Sequence, residues 1–196
     1  MAAKYADGRA RRKRPDAPKP LDAGGIDRRQ WLMAKTRLPD FPVSGGCACG
    51  AVRYELTAAP FALFACHCAD CQTMTGSAFS LAMPIAPDAL RITKGALRMW
   101  VRTAASGRQI PQYVCSDCGT RIYTAPPGPT ASLTLRPGTL DDTSWLRPAA
   151  AFWLSSAQPH VIFDDDMLVF DTQPDDFMPV VRAWRANLDH ASSNQG

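Results

Sequence analysis

The sequence predicts a mainly β body closed by a C-terminal helix. Three observations carry that expectation. Short apolar stretches are separated by frequent Gly and Pro turns, as in all-β folds. Near the end, Phe177, Val180, Val181, Trp184 and Leu188 fall on one helical face. The seven cysteines all lie in three clusters, which ties distant parts of the chain to common points. A length of 196 residues with 46% hydrophobic content suits one domain with its own core.

Taken in order, the chain starts with a basic stretch. Residues 1–40 hold 11 Lys/Arg against 5 Asp, and the remainder holds 11 against 13 acidic residues. The net charge of +4 therefore belongs to this extension, and the rest has no general affinity for nucleic acid. Arg11-Arg12-Lys13-Arg14, followed by Pro15, Pro18 and Pro20, predicts a flexible solvated tail. Nucleic-acid binding is expected, if anywhere, only through this tail, and Trp31-Leu32-Met33 is a stretch able to dock locally.

Folding is expected to begin near Phe41. Gly45-Gly46 predicts a tight turn before Cys47, and Gly50 closes it. Val52-Arg53-Tyr54-Glu55-Leu56-Thr57 alternates as a half-buried strand, ended by Pro60. Residues 61–65 form a short apolar strand leading into Cys66, and residues 72–77 a helical turn stopped by Gly76. Residues 78–83 are a strand broken by Pro84 and Pro87. Residues 90–93 and 97–101 predict a hairpin around Lys94-Gly95. Residues 110–114 lead into Cys115, residues 121–124 leave Cys118 as a strand, and Pro126-Pro127-Gly128-Pro129 is a loop. Residues 131–135, 150–154 and 167–170 are further strands. The acidic run Asp164-Asp165-Asp166 is better explained as a surface turn than as a cation site. Pro179 fits only the first turn of the final helix, whose apolar stripe serves core packing or a homodimer contact. From Ala191 the tail is polar and expected to fray.

No run of about 18 apolar residues occurs, so no membrane span is expected. The N-terminal charges lack an apolar segment behind them, which argues against a secretory leader, and Asp7 and Asp16 argue against a transit peptide. An odd cysteine count also argues against a disulfide framework. The expected compartment is the reducing cytoplasm, where clustered cysteines bind metal.

Structural zinc is closed by four ligands, whereas catalytic zinc keeps an open position. Seven thiolates divide as four plus three. Cys47 and Cys49, with Cys115 and Cys118, are two distant pairs that one ion would join. Cys66, Cys68 and Cys71 remain, one ligand short. His67 is a weak fourth candidate, because an extended segment points its side chain away from those of Cys66 and Cys68. His160 could be recruited from afar, which would make the second zinc purely structural. An open three-sulfur site carries a net charge of about −1 and favours a soft visiting ligand, above all a thiol. Bound so, the thiol is held as a thiolate and can add to an aldehyde. The organisation expected is a basic extension over 1–40, a zinc-binding β domain over 41–174, and a helix with tail over 175–196.

Gly45-Gly46-Cys47-Ala48-Cys49-Gly50, Cys66-His67-Cys68-Ala69-Asp70-Cys71-Gln72 with Gly76-Ser77-Ala78-Phe79, Cys115-Ser116-Asp117-Cys118-Gly119-Thr120 and Gly138-Thr139-Leu140-Asp141-Asp142 together resemble the glutathione-dependent formaldehyde-activating enzyme family, whose domain is shared with centromere protein V. The resemblance implies an Mss4-like (β-tent) fold with two Zn²⁺ per chain. It implies a structural ion at Cys47, Cys49, Cys115 and Cys118 and a catalytic one at Cys66, Cys68 and Cys71. The implied activity is that of a carbon–sulfur lyase joining formaldehyde to glutathione. A non-catalytic zinc module that carries glutathione, or serves as an interaction domain, would show the same cysteines. The carboxylates of glutathione would need cations or backbone N–H groups, and Arg53, Arg98, Arg102 and Arg121 are candidates by proximity in sequence to the clusters.

Overall fold

The computed structural model describes residues 35–104, 107–126 and 131–189. The basic run, Trp31-Leu32-Met33, most of the proline loop and the polar tail lie outside the described residues. The expectation of a mainly β body with a C-terminal helix holds. The described residues contain eleven strands and two helices of seven and nine residues, besides short 3-10 turns.

The strands are β1 (Val43–Gly46), β2 (Arg53–Leu56), β3 (Phe64–Cys66), β4 (Ser80–Ile85), β5 (Leu90–Lys94), β6 (Leu97–Thr103), β7 (Gln109–Cys115), β8 (Arg121–Thr124), β9 (Leu133–Leu135), β10 (Ala150–Phe152) and β11 (Leu168–Phe170). Helix α1 is Ala69–Thr75 and helix α2 is Met178–Ala186. One sheet has the order β1-β2-β5, the other β11-β10-β3-β4-β9-β8-β7-β6. Pairing is antiparallel except where β10 runs parallel to both β3 and β11.

Both sheets feed one core. Tyr54 and Leu56 of β2, Met83 and Ile85 of β4, Ile122 of β8, Leu135 of β9 and Phe152 of β10 are all buried within it. The alternation predicted for β2 appears as Tyr54 and Leu56 buried between less buried neighbours. Central β4 is buried along nearly its whole length, as expected for a strand covered on both faces. Phe152 is a hub: its ring stacks on Phe64 at 4.2 Å and meets Phe170 and Phe177 edge-on at 5.4 and 6.2 Å. Helix α2 closes the core with Val180, Val181 and Trp184, and Pro179 sits in its first turn as required.

Several local expectations are corrected. Lys94-Gly95 does not make a hairpin: β5 pairs with β2 in the small sheet, while β6 pairs with β7 in the large one. Gly95 instead carries the chain between sheets. It has φ +79°, and a Cβ there would lie 2.3 Å from the Ala51 carbonyl oxygen, so only glycine passes. Gly45 and Gly46 belong to β1 rather than to a turn. A Cβ on Gly45 would meet the Tyr54 ring at 2.2 Å, and one on Gly46 the Val52 carbonyl oxygen at 2.3 Å.

Pro84 does not break β4. At that position β4 has left β3, whose last partner is Ala82, and faces only β9, so the missing N–H is tolerated. The Pro84 carbonyl accepts from Phe61 N–H at 2.9 Å. The strand expected over 61–65 starts only at Phe64. Helix α1 starts at Ala69, earlier than residue 72, and ends at Gly76 with φ 61° as expected. Leu188 lies beyond α2, in a bridge to Thr36: Thr36 N–H donates to Asn187 O at 2.8 Å and Asp189 N–H to Thr36 O at 2.9 Å. Ordered packing thus reaches back to the buried Thr36, ahead of Phe41. The acidic run is a turn, closed by Met167 N–H on Asp164 O, with Asp166 paired to Arg147.

The Phe152 cluster sets one expectation. Phe152→Ala should lower the unfolding free energy by about 3–5 kcal/mol, read by chemical denaturation, because the cavity falls among rings that cannot close over it. A loss under about 1 kcal/mol would show that the hub carries little of the stability.

Candidate metal centres

The seven thiols are free, and they gather into two groups. Cys47, Cys49, Cys115 and Cys118 form one, and Cys66, Cys68 and Cys71 the other, with the sulfurs of each group within 4.8 Å of one another. Cys47 and Cys49 Sγ are 3.4 Å apart, Cys49 and Cys115 3.9 Å, and Cys66 and Cys68 3.5 Å. Four sulfurs about 2.3 Å from a tetrahedral ion would be roughly 3.8 Å apart, so both donor sets fit Zn²⁺.

The four-thiol group is made by two tight turns. After β1, Cys47 O accepts from Gly50 N–H at 3.2 Å, while Cys47 Sγ accepts from Val52 N–H at 3.1 Å. After β7, Gly119 N–H donates to Cys115 O at 3.0 Å. Thr120 ties the turns together: its hydroxyl accepts from Ala48 N–H at 3.1 Å and lies 3.1 Å from Cys118 Sγ. Burial pushes the Cys118 thiol up, but the Thr120 hydroxyl and backbone N–H groups outweigh it and bring the thiol down to about 6. The first turn belongs to the small sheet and the second to the large one, so the group joins the two.

The three-thiol group sits where β3 gives way to α1. Cys66 ends β3, and Cys68 caps α1 by accepting from Cys71 N–H at 3.4 Å. Cys68 is held far below the ordinary thiol range by its bonds with Cys66 and Cys71, and Arg102 adds to this. Those same bonds, with burial, push Cys66 up.

His67 does not join the trio. Its ring is buried between Phe79 and Phe163, each centroid 5.2 Å away, and burial pushes its pKa down. The cause is the one given by extended geometry: β3 sends its side chain to the opposite face. His160 is exposed and outside the group. Among the described residues, no fourth Cys, His, Asp or Glu joins the three.

The backbone behind the trio is clamped by amides. Gln72 Nε2 donates to His67 O at 2.6 Å and to Ser156 O at 2.7 Å. Its Oε1 accepts from Gln158 Nε2 at 2.9 Å. Ser156 ends a 3-10 turn capped by Trp153, whose φ of 66° is rare for a side chain of its size, a strain of about 1–3 kcal/mol. Asp70 of α1 pairs with Arg102 of β6, which fixes the helix from the other side.

Of the four candidate arginines, two approach the trio. Arg53 is spent on Asp141, with Nη1 donating to Oδ1 at 3.0 Å, and Arg98 is exposed on the edge strand. Arg102 and Arg121 lie beside the thiols, joined by Arg136, which sequence reasoning missed. Burial and the neighbouring Arg136 pull Arg121 down to about 10, against the pull of Cys71 and Cys66. Burial lowers Arg136 as well, opposed by the same two cysteines. A cavity of about 350 Å³ opens here, with Met74, Phe79, Leu81, Ser80, Arg121 and Arg136 in its lining. Arg136 lies on the far side of the proline loop from the nearest cysteine, Cys118. Its one signal is a lone cation directly after the apolar strand residues Leu133 and Leu135.

Residues 42–156 match the family model described as glutathione-dependent formaldehyde-activating enzyme. No curated protein matches the chain. A crystal structure of a Rhodobacter sphaeroides protein, a structural genomics target, is similar at 17% identity and a TM-score of 0.39, over 65% of this chain and 98% of that one. With the family match spanning more than half of its residues and all seven cysteines, the chain belongs to the glutathione-dependent formaldehyde-activating enzyme family.

Proposed function

We propose that this chain is a zinc-dependent enzyme of carbon–sulfur lyase type, acting on the adduct of a thiol with a small aldehyde. Family membership points to glutathione and formaldehyde. Cys47, Cys49, Cys115 and Cys118 would hold a structural ion, and Cys66, Cys68 and Cys71 the catalytic one. The observation that carries this reading is the difference between the two groups. Four thiols can close a tetrahedron, while the other three sit near a cavity with one position left for a ligand. The fold would be of the Mss4-like type, with the zinc-binding domain over 41–174, the helix and tail over 175–196, and 1–40 as a basic extension.

Zinc at the trio would supply a site where a visiting thiol binds as its nucleophilic thiolate. The residues of the chain do the rest. Gln72, Ser156 and the Asp70–Arg102 pair hold α1, and with it Cys68 and Cys71, in a fixed place. Met74, Phe79 and Leu81 keep part of the cavity apolar and limit water there. In the forward direction the thiol sulfur bonds to the aldehyde carbon, and the thiol proton ends on the former carbonyl oxygen. The reverse breaks the same carbon–sulfur bond, with no oxidant or reductant consumed.

Metal analysis should give two zinc ions per chain. Cys68→Ser should retain one, keep the native circular dichroism spectrum, and lose acceleration of adduct formation. Wild-type protein that fails to outpace buffer, yet binds glutathione in a calorimeter, would instead be a carrier.

Cys115→Ser should be far more damaging. Structural zinc contributes about 10–16 kcal/mol in zinc-finger peptides, as much as a domain's whole stability of about 5–15 kcal/mol. We expect this variant to be unfolded or insoluble. A folded Cys115→Ser protein with unchanged thermal stability would show that the four-thiol group has no structural role.

A further inference from the structure

We propose that Arg121 and Arg136 form a carboxylate-binding subsite beside the cysteine trio, so that the thiol handled here must itself carry a carboxylate. This rests on the reading of the trio as a thiol site.

The two guanidiniums are built into the centre of the large sheet. Arg121 opens β8, and Arg136 directly follows β9. Both turn to the same hydroxyl: Arg121 Nη2 donates to Ser80 Oγ at 3.2 Å and Arg136 Nη1 at 3.3 Å. Ser80 stands opposite Cys66 in the β3–β4 register, and paired residues project on one face. Helix α1 supplies the adjoining wall, with Cys71, Met74 and Thr75 at i, i+3 and i+4 on one side. The cavity lined by both arginines thus adjoins the trio through Ser80 and α1.

Their partners are unlike those of the four arginines held in ion pairs, and unlike the exposed arginines they are withdrawn from water. Arg53, Arg91, Arg102 and Arg147 each meet a carboxylate. Arg121 meets only Ser80, the Gln112 amide oxygen at 3.3 Å and Met74 Sδ at 3.2 Å. Arg136 meets only Ser80 and the Leu81 carbonyl oxygen at 3.5 Å, and its Nε is buried without a hydrogen-bond partner. Among the described residues, no acid pairs with either. Two neighbouring cations withdrawn from water in this way are costly unless anions meet them.

The Asp70–Arg102 pair is neutral. Three thiolates with one divalent ion carry about −1, and a visiting thiolate would bring the sulfurs to about −2. The case for a carboxylate therefore rests on hydrogen bonding: both guanidiniums line the cavity without an acid partner among the described residues, and Arg136 Nε is buried unpaired. Planar guanidiniums with free N–H groups suit a planar carboxylate, and the small cavity places that group near the sulfur.

Calorimetry on the full-length, zinc-loaded protein tests this with 3-mercaptopropionate against its methyl ester, which keeps the thiol and removes the charge. The acid should bind roughly tenfold tighter or more, as expected for hydrogen bonds to a charged group. Arg136→Gln should abolish that preference while leaving ester affinity and zinc content unchanged. Arg121→Gln repeats the test should Arg136→Gln fail to fold. Equal affinity of wild type for acid and ester would overturn the subsite and leave the thiol reading standing. Failure of both thiols to bind would overturn the thiol reading and the subsite with it.

Discussion

The meeting of Cys47 and Cys49 with Cys115 and Cys118 is the constraint on which the rest of this structure depends. The strands are short, three to seven residues each, and the three-stranded sheet buries its apolar face, Tyr54 and Leu56, in a core shared with the large sheet. Cys49 and Cys115 are 66 positions apart. If an ion links them, closing a loop of that size removes about 4 kcal/mol of unfolded-state entropy on the chain-entropy model. It also sets the small sheet against the large one, where Tyr54 and Leu56 can enter the common core. Further links along the same seam are the Gly45–Leu140 bridge, the Asp141 N–H bond to Ser44 O and the Arg53–Asp141 pair.

The two thiol groups differ in what surrounds them. The four-thiol group lies between two tight turns with Cys118 exposed, and its nearest donors are backbone N–H groups and one threonine hydroxyl. These groups bring no net charge, which suits a closed and inert site. The trio is faced by three arginines, one of them neutralised by Asp70. Cations beside thiolates favour the charged form of sulfur and attract anions from solution. The difference in charge around the two groups is what the proposed division of roles rests on.

The cysteine groups were legible in the sequence because ligand spacing is a short-range signal, and division into four and three needs no knowledge of topology. The alternation of β2, the stop at Gly76, the turn at Asp164-Asp165-Asp166 and the buried stripe of α2 were legible for the same reason. What failed was pairing at a distance. Lys94-Gly95 has the local chemistry of a hairpin, yet β2 and β7 are better partners for the strands on either side. Pro84 looks like a strand breaker until its neighbour β3 is seen to have ended. Arg136 illustrates the same limit at the site: sequence position does not separate it from Arg98, whereas strand order places Arg136 beside the trio and Arg98 on the edge strand.

That strand order is what gives the trio and the two arginines a common geometry. Cys66 is matched to Ser80 across β3 and β4, Met83 to Leu135 across β4 and β9, and Leu135 to Tyr123 across β9 and β8. Arg136 N–H then bonds Ile122 O at 2.8 Å, which sets it beside Arg121. A slip of one residue anywhere in this series would turn either Ser80 or an arginine to the opposite face. Such a slip is opposed by the core, since it would also expose Met83, Leu135 or Ile122, all fully buried. Burial of these apolar side chains therefore holds the polar ones in register. Precision at the candidate site follows from packing across the sheet, not from the loops around it.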